Sequence, residues 1–298
     1  MGGTIGDELI GEVAGRLIRQ AAVVLPDDVR RALAEACDRE ESMLARQQLG
    51  AMLQNARVAE EKGVPLCQDT GVPVFFLSLG SEVRIDGDPA RVLEEAVRRA
   101  TEDVPLRQNV IHPLTRRNSG TNTGWGVPIV HWDFLPGADY LEMMFVPKGF
   151  GAEMRAAQCW VLTSEDAGRA AAKAVLDVVQ DSMGEPCPPV IIGVGIGGTA
   201  DQSAHIAKRA LFRSPLGTRH SEPQVAALEE EMLQAVNETG LGPMGLGGKT
   251  YALAVHVEIC GAHTAVVPVS VFMQCWAARY AAARIYGDGR VLFLAHAR

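Results

Sequence analysis

Apolar and polar positions along this chain alternate with two periods, and the changes of period mark its elements. A spacing of three and four residues predicts helices over 27–61, 89–102, 164–183, 200–212 and 222–239. In the third, Ser164 can cap the first turn and Glu165 and Asp166 suit its positive end. Ala167, Ala171, Val175 and Val178 then form one apolar stripe. In the fifth, Pro223 falls in the first turn, Gly240 lies past the end, and Val225, Leu228, Met232 and Val236 make the stripe. Short runs rich in β-branched and aromatic residues predict strands over 72–79, 127–132, 140–146, 190–194, 252–259 and 265–272. Helices and strands intermix without tandem repeats, low-complexity tracts or long linkers. The pattern therefore predicts a mixed α/β fold, with helices packed around a mixed β-sheet, in one domain over 1–298.

Composition narrows the class. A chain of 298 residues, 47% hydrophobic and 21% charged, can bury a large core. Its net charge of −8 provides no basic footprint for nucleic acid or an anionic membrane surface. The N-terminus lacks the apolar core of a signal peptide, and no apolar run is long enough to cross a bilayer. A cytoplasmic location is expected, in which six cysteines read as thiols or metal ligands rather than disulfides.

The chemistry concentrates in a few places. Pro65-Leu66-Cys67-Gln68-Asp69-Thr70-Gly71 puts a thiol, an amide and a carboxylate on consecutive positions closed by a glycine. Three adjacent side chains cannot share one face of a helix or strand, so this segment is read as a turn aimed at a ligand. Cys187 stands among prolines that forbid helix, and Cys275 follows an apolar strand at an expected strand-to-helix junction. Cys37, Cys159 and Cys260 read as packed thiols. Cys67, Cys187 and Cys275 lie far apart in the chain and match no local zinc or ferredoxin spacing.

Gly193 to Gly198 fits the GxGxxG pattern between a strand and a helix, which raises a dinucleotide site. The segment after that helix, Arg213 to Ser221, is no strand, so the motif is read instead as a loop of backbone donors beside a site. Arg107 and the run Arg116 to Gly124 form a second polar concentration, able to clamp a carboxylate or simply to face water. Lys148-Gly149-Phe150-Gly151 allows a close backbone approach. His263 reads as a core histidine or a proton donor. The loop Leu241 to Lys249 is the most glycine-rich stretch and is expected to be ordered near a ligand.

Taken together and in this order, Pro65 to Gly71, Lys148 to Gly151, Cys187-Pro188-Pro189 with Gly193 to Thr199, Gly242 to Lys249 and Gln274-Cys275 resemble one family. It is the iron–sulfur, class I fumarate hydratases and L-tartrate dehydratases, specifically their α subunit or N-terminal domain. The resemblance implies that family's fold and a [4Fe–4S] cluster held by Cys67, Cys187 and Cys275, with one iron lacking a protein ligand. It implies that Gln68, Arg107 and Gly151 bind substrate, and that Asp69 and His263 serve catalysis. The implied reaction is dehydration of a 2-hydroxy dicarboxylate, malate to fumarate first and tartrate second.

One-chain members carry a further domain. Its absence here implies a separate β subunit supplying the remaining active-site residues, in an α2β2 assembly or around an α homodimer. Two positions depart from the family pattern: Phe150 stands where glycine is usual, and Trp276 where histidine is common. Phe150, together with the lack of an obvious base for the C3 proton, leaves room for a regulatory protein on the same scaffold, and the Gly193 to Gly198 motif alone supports a nicotinamide oxidoreductase.

Overall fold

The computed structural model describes residues 3–162 and 165–295. In chain order its elements are β1 (Gly3–Gly6), α1 (Asp7–Val23), α2 (Asp27–Arg39), α3 (Met43–Lys62), β2 (Val72–Gly80), β3 (Val83–Asp86), α4 (Pro89–Asp103), β4 (Ile129–Leu135), β5 (Tyr140–Lys148) and α5 (Phe150–Glu153). There follow β6 (Ala157–Leu162), α6 (Ala167–Ser182), β7 (Val190–Ile196), α7 (Ala200–Ala210), α8 (Pro223–Glu238), β8 (Ala252–Ile259), β9 (Val266–Gln274), β10 (Ala281–Tyr286) and β11 (Val291–Leu294). The fold is mixed α/β, as the periodicity predicts, and the chain forms two compact units.

The first unit comprises 3–26, 55–150 and 279–295 among the described residues. Its five-stranded sheet runs β11-β10-β5-β2-β4, with β2 and β4 parallel and the other neighbours antiparallel. Helices α1 and α4 cover the sheet. Ile10, Leu17 and Ile18 of α1 and Leu93 and Val97 of α4 pack with Phe75, Leu77, Met143, Phe145, Ala283 and Ile285. Burial of this apolar surface is the main force holding the unit.

The second unit comprises 27–54 and 151–278. Its sheet runs β6-β9-β7-β8, with β7 and β8 parallel and β9 antiparallel to both β6 and β7. Val175 and Val179 of α6 and Val225, Met232 and Val236 of α8 pack with Ile192, Val194, Val255, Val257, Val269 and Val271. The glycines of the GxGxxG pattern have a packing cause. A Cβ on Gly193 would lie 2.2 Å from the Ala207 carbonyl oxygen, and one on Gly195 2.1 Å from that of Ser203, so α7 can seat on β7 only where side chains are missing.

Several boundaries differ from the sequence expectation. The helix expected over 27–61 is two helices. The Glu40 carboxylate accepts the N–H groups of Glu41 and Ser42 and so starts α3 afresh. Helix α6 is capped by Asp166, whose side chain accepts from Gly168 and Arg169; Ser164 lies outside the described residues. No element is expected over 7–23, yet α1 forms there with eight buried residues. The alanine-rich stretch after Cys275 is not a helix but a loop leading into β10, because Ala281, Ala282 and Ala283 are buried in the sheet of the first unit. Among the described residues no helix is long and apolar enough to cross a membrane.

Candidate functional site

The predicted turn at Cys67 forms, and side chains hold it. Its entry is fixed by the Leu66 N–H donating to Ala22 at 2.9 Å and the Asn55 amide donating to the Leu66 carbonyl at 2.8 Å. Gly71 closes it at φ +82°, where a Cβ would lie 2.4 Å from the backbone of Pro147. The Asp69 carboxylate folds back. One oxygen accepts from the Gly71 N–H at 3.0 Å and the Asn109 amide at 3.2 Å, the other from the Phe150 N–H at 2.9 Å. Arg279 donates from Nη2 to the Asp69 carbonyl at 2.8 Å. Cys67 is half-buried and Gln68 exposed, so the turn presents its amide outward.

Arg107 lies beside this turn by its backbone. Its carbonyl accepts from the Thr70 hydroxyl at 3.2 Å and the Asn122 amide at 3.1 Å, while the residue as a whole is exposed. Asn122, 2% exposed, also accepts from the Asn109 N–H at 2.7 Å, which links the 107–124 loop to the Cys67 turn. The polar concentration at 116–124 is therefore a fastening as well as a solvated loop. The family departure at Phe150 leaves its side chain exposed and uses its N–H on Asp69, a contact that any residue except proline could make.

The turn at Cys187, in the second unit, is held mainly by backbone. Cys187 is half-buried at φ +56°, a strained conformation for a residue with a side chain. Its N–H donates to Gly184 at 3.1 Å, and its carbonyl accepts from the Trp276 N–H at 3.1 Å. Cys187 and the residue following Cys275 thus meet through main chain, whatever side chain Trp276 carries. The glycine-rich loop forms as expected and braces this turn. The Met244 N–H donates to the Pro188 carbonyl at 2.9 Å, and Gly184 and Gly245 touch so closely that a Cβ on Gly245 would lie 2.7 Å from Gly184.

The far end of that loop rests on Glu40, which accepts the Lys249 N–H at 2.8 Å. Burial raises the Glu40 pKa, but the N–H groups of Lys249, Ser42 and Glu41 outweigh it and hold the carboxyl below its ordinary value. Tyr251, fully buried, donates to the Met183 carbonyl at 2.8 Å; its desolvation pushes the phenol well above the usual range.

Gly151, half-buried, begins the second unit, with space for a Cβ limited by the Glu185 carbonyl at 3.3 Å. His263 is exposed on the β8–β9 loop, so the core reading is set aside; its Nδ1 accepts from the Ala265 N–H at 3.1 Å, which places the proton of the neutral ring on Nε2. Cys260 is exposed rather than packed, and Cys37 and Cys159 are half-buried. The Gly197 and Gly198 N–H groups donate to Pro268 and Gly261. They are not the phosphate-facing donors a nucleotide site would need.

Sequence reasoning missed Asn109, Glu40 and Arg279. Each acts on backbone from a distance along the chain, and only the many glycines near them hinted at close main-chain approach. Free thiols are the usual ligands of an iron–sulfur cluster, and Cys67, Cys187 and Cys275 are free and half-buried, Cys67 in a turn held by side chains and Cys187 in one held mainly by backbone. Within either unit, no three His, Cys, Asp or Glu side chains among the described residues are grouped to ligate a single metal ion.

The comparisons with known proteins identify the family. The family described as fumarate hydratase (fumerase) matches residues 12–284. The chain is 43% identical over 286 residues to a Methanocaldococcus jannaschii protein named, provisionally, L(+)-tartrate dehydratase subunit alpha, covering 95% of this chain and 99% of that one. It is 32% identical over 287 residues to the L(+)-tartrate dehydratase subunit alpha of Escherichia coli K12, covering 96% and 94%. The protein of that name in Shigella sonnei matches equally well.

Proposed function

The chain belongs to the fumarate hydratase family, and on that premise we propose that it is the α subunit of a hydro-lyase dehydrating a 2-hydroxy dicarboxylate. L(+)-tartrate, the second choice from sequence, becomes the first, because the relatives carry that substrate in their names. The observation that carries the reading is a likeness running almost end to end through 12–284, a span that includes Cys67, Cys187 and Cys275.

In this reading Cys67, Cys187 and Cys275 hold a [4Fe–4S] cluster. When bound, it supplies Lewis-acid polarisation of the substrate hydroxyl. The chain's own side chains bind and orient. The exposed Arg107 guanidinium can clamp one carboxylate in two parallel hydrogen bonds. The exposed Gln68 amide can fix the other end, and Gly151 gives a carboxylate room near main chain.

Asp69 keeps its carboxylate on three neutral donors, which supports an orienting charge beside the substrate. His263, with Nδ1 occupied by the Ala265 N–H, can donate a hydrogen bond from Nε2 to the departing hydroxyl. A base for the C3 proton is not assigned to this chain. We place it on a separate β-type subunit, in the α2β2 arrangement or around an α homodimer.

The test is co-production of the chain with a candidate β-type subunit in the absence of oxygen, followed by turnover assays with L(+)-tartrate, D-tartrate, meso-tartrate and malate. L(+)-tartrate should be consumed fastest, and the chain alone should be nearly inactive. A preference for malate would restore the fumarate hydratase reading. No turnover of any of them by an iron-loaded pair would favour the regulatory one.

A further inference from the structure

Arg279 is the largest fully buried side chain among the described residues, 1% exposed. Its Nη2 donates to the Asp69 carbonyl at 2.8 Å, yet its Nε and Nη1 are buried without an acceptor among the described residues. The nearby Asp69 carboxylate is turned to Gly71, Asn109 and Phe150 instead. A buried guanidinium with neither a carboxylate nor acceptors for most of its donors is strongly disfavoured. Such an orphan calls for a specific cause, and a resident anion is the simplest.

We propose that Arg279 is a positioning residue which fixes the Cys67–Asp69 turn through the Asp69 carbonyl and gives its remaining donors and positive charge to the anionic iron–sulfur centre on Cys67. This rests on the cluster reading above. Burial decides between possible anions. A substrate carboxylate arriving from water meets exposed groups such as Gln68 and Arg107, whereas a guanidinium with no exposed surface meets something that stays bound. A cubane core with three thiolates is negatively charged overall, and nearby charge and hydrogen bonds to its sulfurs set its potential. On the other cysteine side, the Gln274 amide lies 4.0 Å from the Cys275 sulfur, a second N–H donor directed at a candidate ligand.

The test uses the full chain, reconstituted with iron and sulfide without oxygen, as wild type, R279K and R279Q. The readouts are iron content, the reduction midpoint followed by the electron paramagnetic resonance of the reduced cluster, and thermal unfolding by circular dichroism. R279Q should load iron, reduce at a clearly more negative potential and give an altered spectrum. R279K, which keeps the charge, should recover most of the potential but not the spectrum.

An R279Q protein with wild-type potential and spectrum would overturn the inference, as would a variant whose only change is a raised KM in the assembled enzyme. If R279Q fails to fold, R279K decides: an altered spectrum supports the inference, and an unaltered one with unchanged potential overturns it. A wild-type chain that takes up no iron would overturn the cluster reading and this inference with it. A loaded wild type with indistinguishable variants would overturn this inference alone.

Discussion

Around Cys67 the backbone is held by side chains from distant parts of the first unit, Asn55, Asn109 and Arg279, with Asn122 tying Asn109 in turn. Around Cys187 the holding atoms are mostly main chain: Gly184 and Gly245 let two backbones touch, and Trp276 and Met244 donate their N–H groups to the Cys187 and Pro188 carbonyls. The two modes fail differently. A side-chain clamp can be weakened one hydrogen bond at a time, each worth about 1 kcal/mol net. A backbone contact through glycine has no intermediate setting, because any Cβ must displace the neighbouring chain.

The sharpest way to break this contrast is Gly184→Ala. Its Cβ would stand 2.4 Å from the Met244 carbonyl oxygen. We expect a loss of about 3 kcal/mol in urea unfolding, with faster hydrogen exchange in 183–189 and little change in 65–71. Equal protection in both segments would show that the glycine contact does not brace the turn.

Acid should separate the units next. His256, fully buried in the second, donates from Nδ1 to Ala210 and accepts the Gly217 N–H at Nε2. Burial first, and then the positive Arg213, push its pKa down to about 4. Because the unfolded imidazole takes up a proton near its ordinary pKa of 6.5 and the folded one does not, this contribution is intact above about pH 6.5 and lost as pH falls towards about 4. By about pH 5 it should amount to about 2 kcal/mol. H256Q should flatten that part of the stability profile. An unchanged slope in the variant would contradict the assignment.

Asn109→Ala tests the side-chain mode. It removes three amide contacts, to Asp69, Thr70 and Gly71. A destabilisation of about 1.5 kcal/mol is expected, with exchange increasing at 65–71 and not at 183–189. The smallest effect, about 1 kcal/mol, is expected of Glu40→Gln. The lowered Glu40 pKa means that its contribution is present above the unfolded carboxyl value and lost as pH falls through the folded one. E40Q should therefore resemble wild type in acid and differ most at neutral pH.

The same contrast explains what was legible beforehand. Strand β8 is read to the residue, and α4, α7 and α8 nearly so, because a periodic apolar face against a core is a local signal. Cys67, Gln68 and Asp69 announce themselves by adjacency, and the predicted turn forms. What could not be read is long-range. Arg279 and Asn109 matter through single backbone atoms far away in the chain, and the alanines of β10 look helical until the strand beside them is known. The GxGxxG glycines satisfy a nucleotide pattern while serving helix packing, and only the position of α7 on β7 separates the two causes.

The central claim is tested most directly by iron and acid-labile sulfide analysis of the chain, reconstituted without oxygen, beside Cys67→Ser, Cys187→Ser and Cys275→Ser. The account predicts about four irons and a matching amount of sulfide per wild-type chain, and a large loss in each variant. Serine variants that load like wild type, or a wild-type chain holding fewer than about three irons, would contradict it.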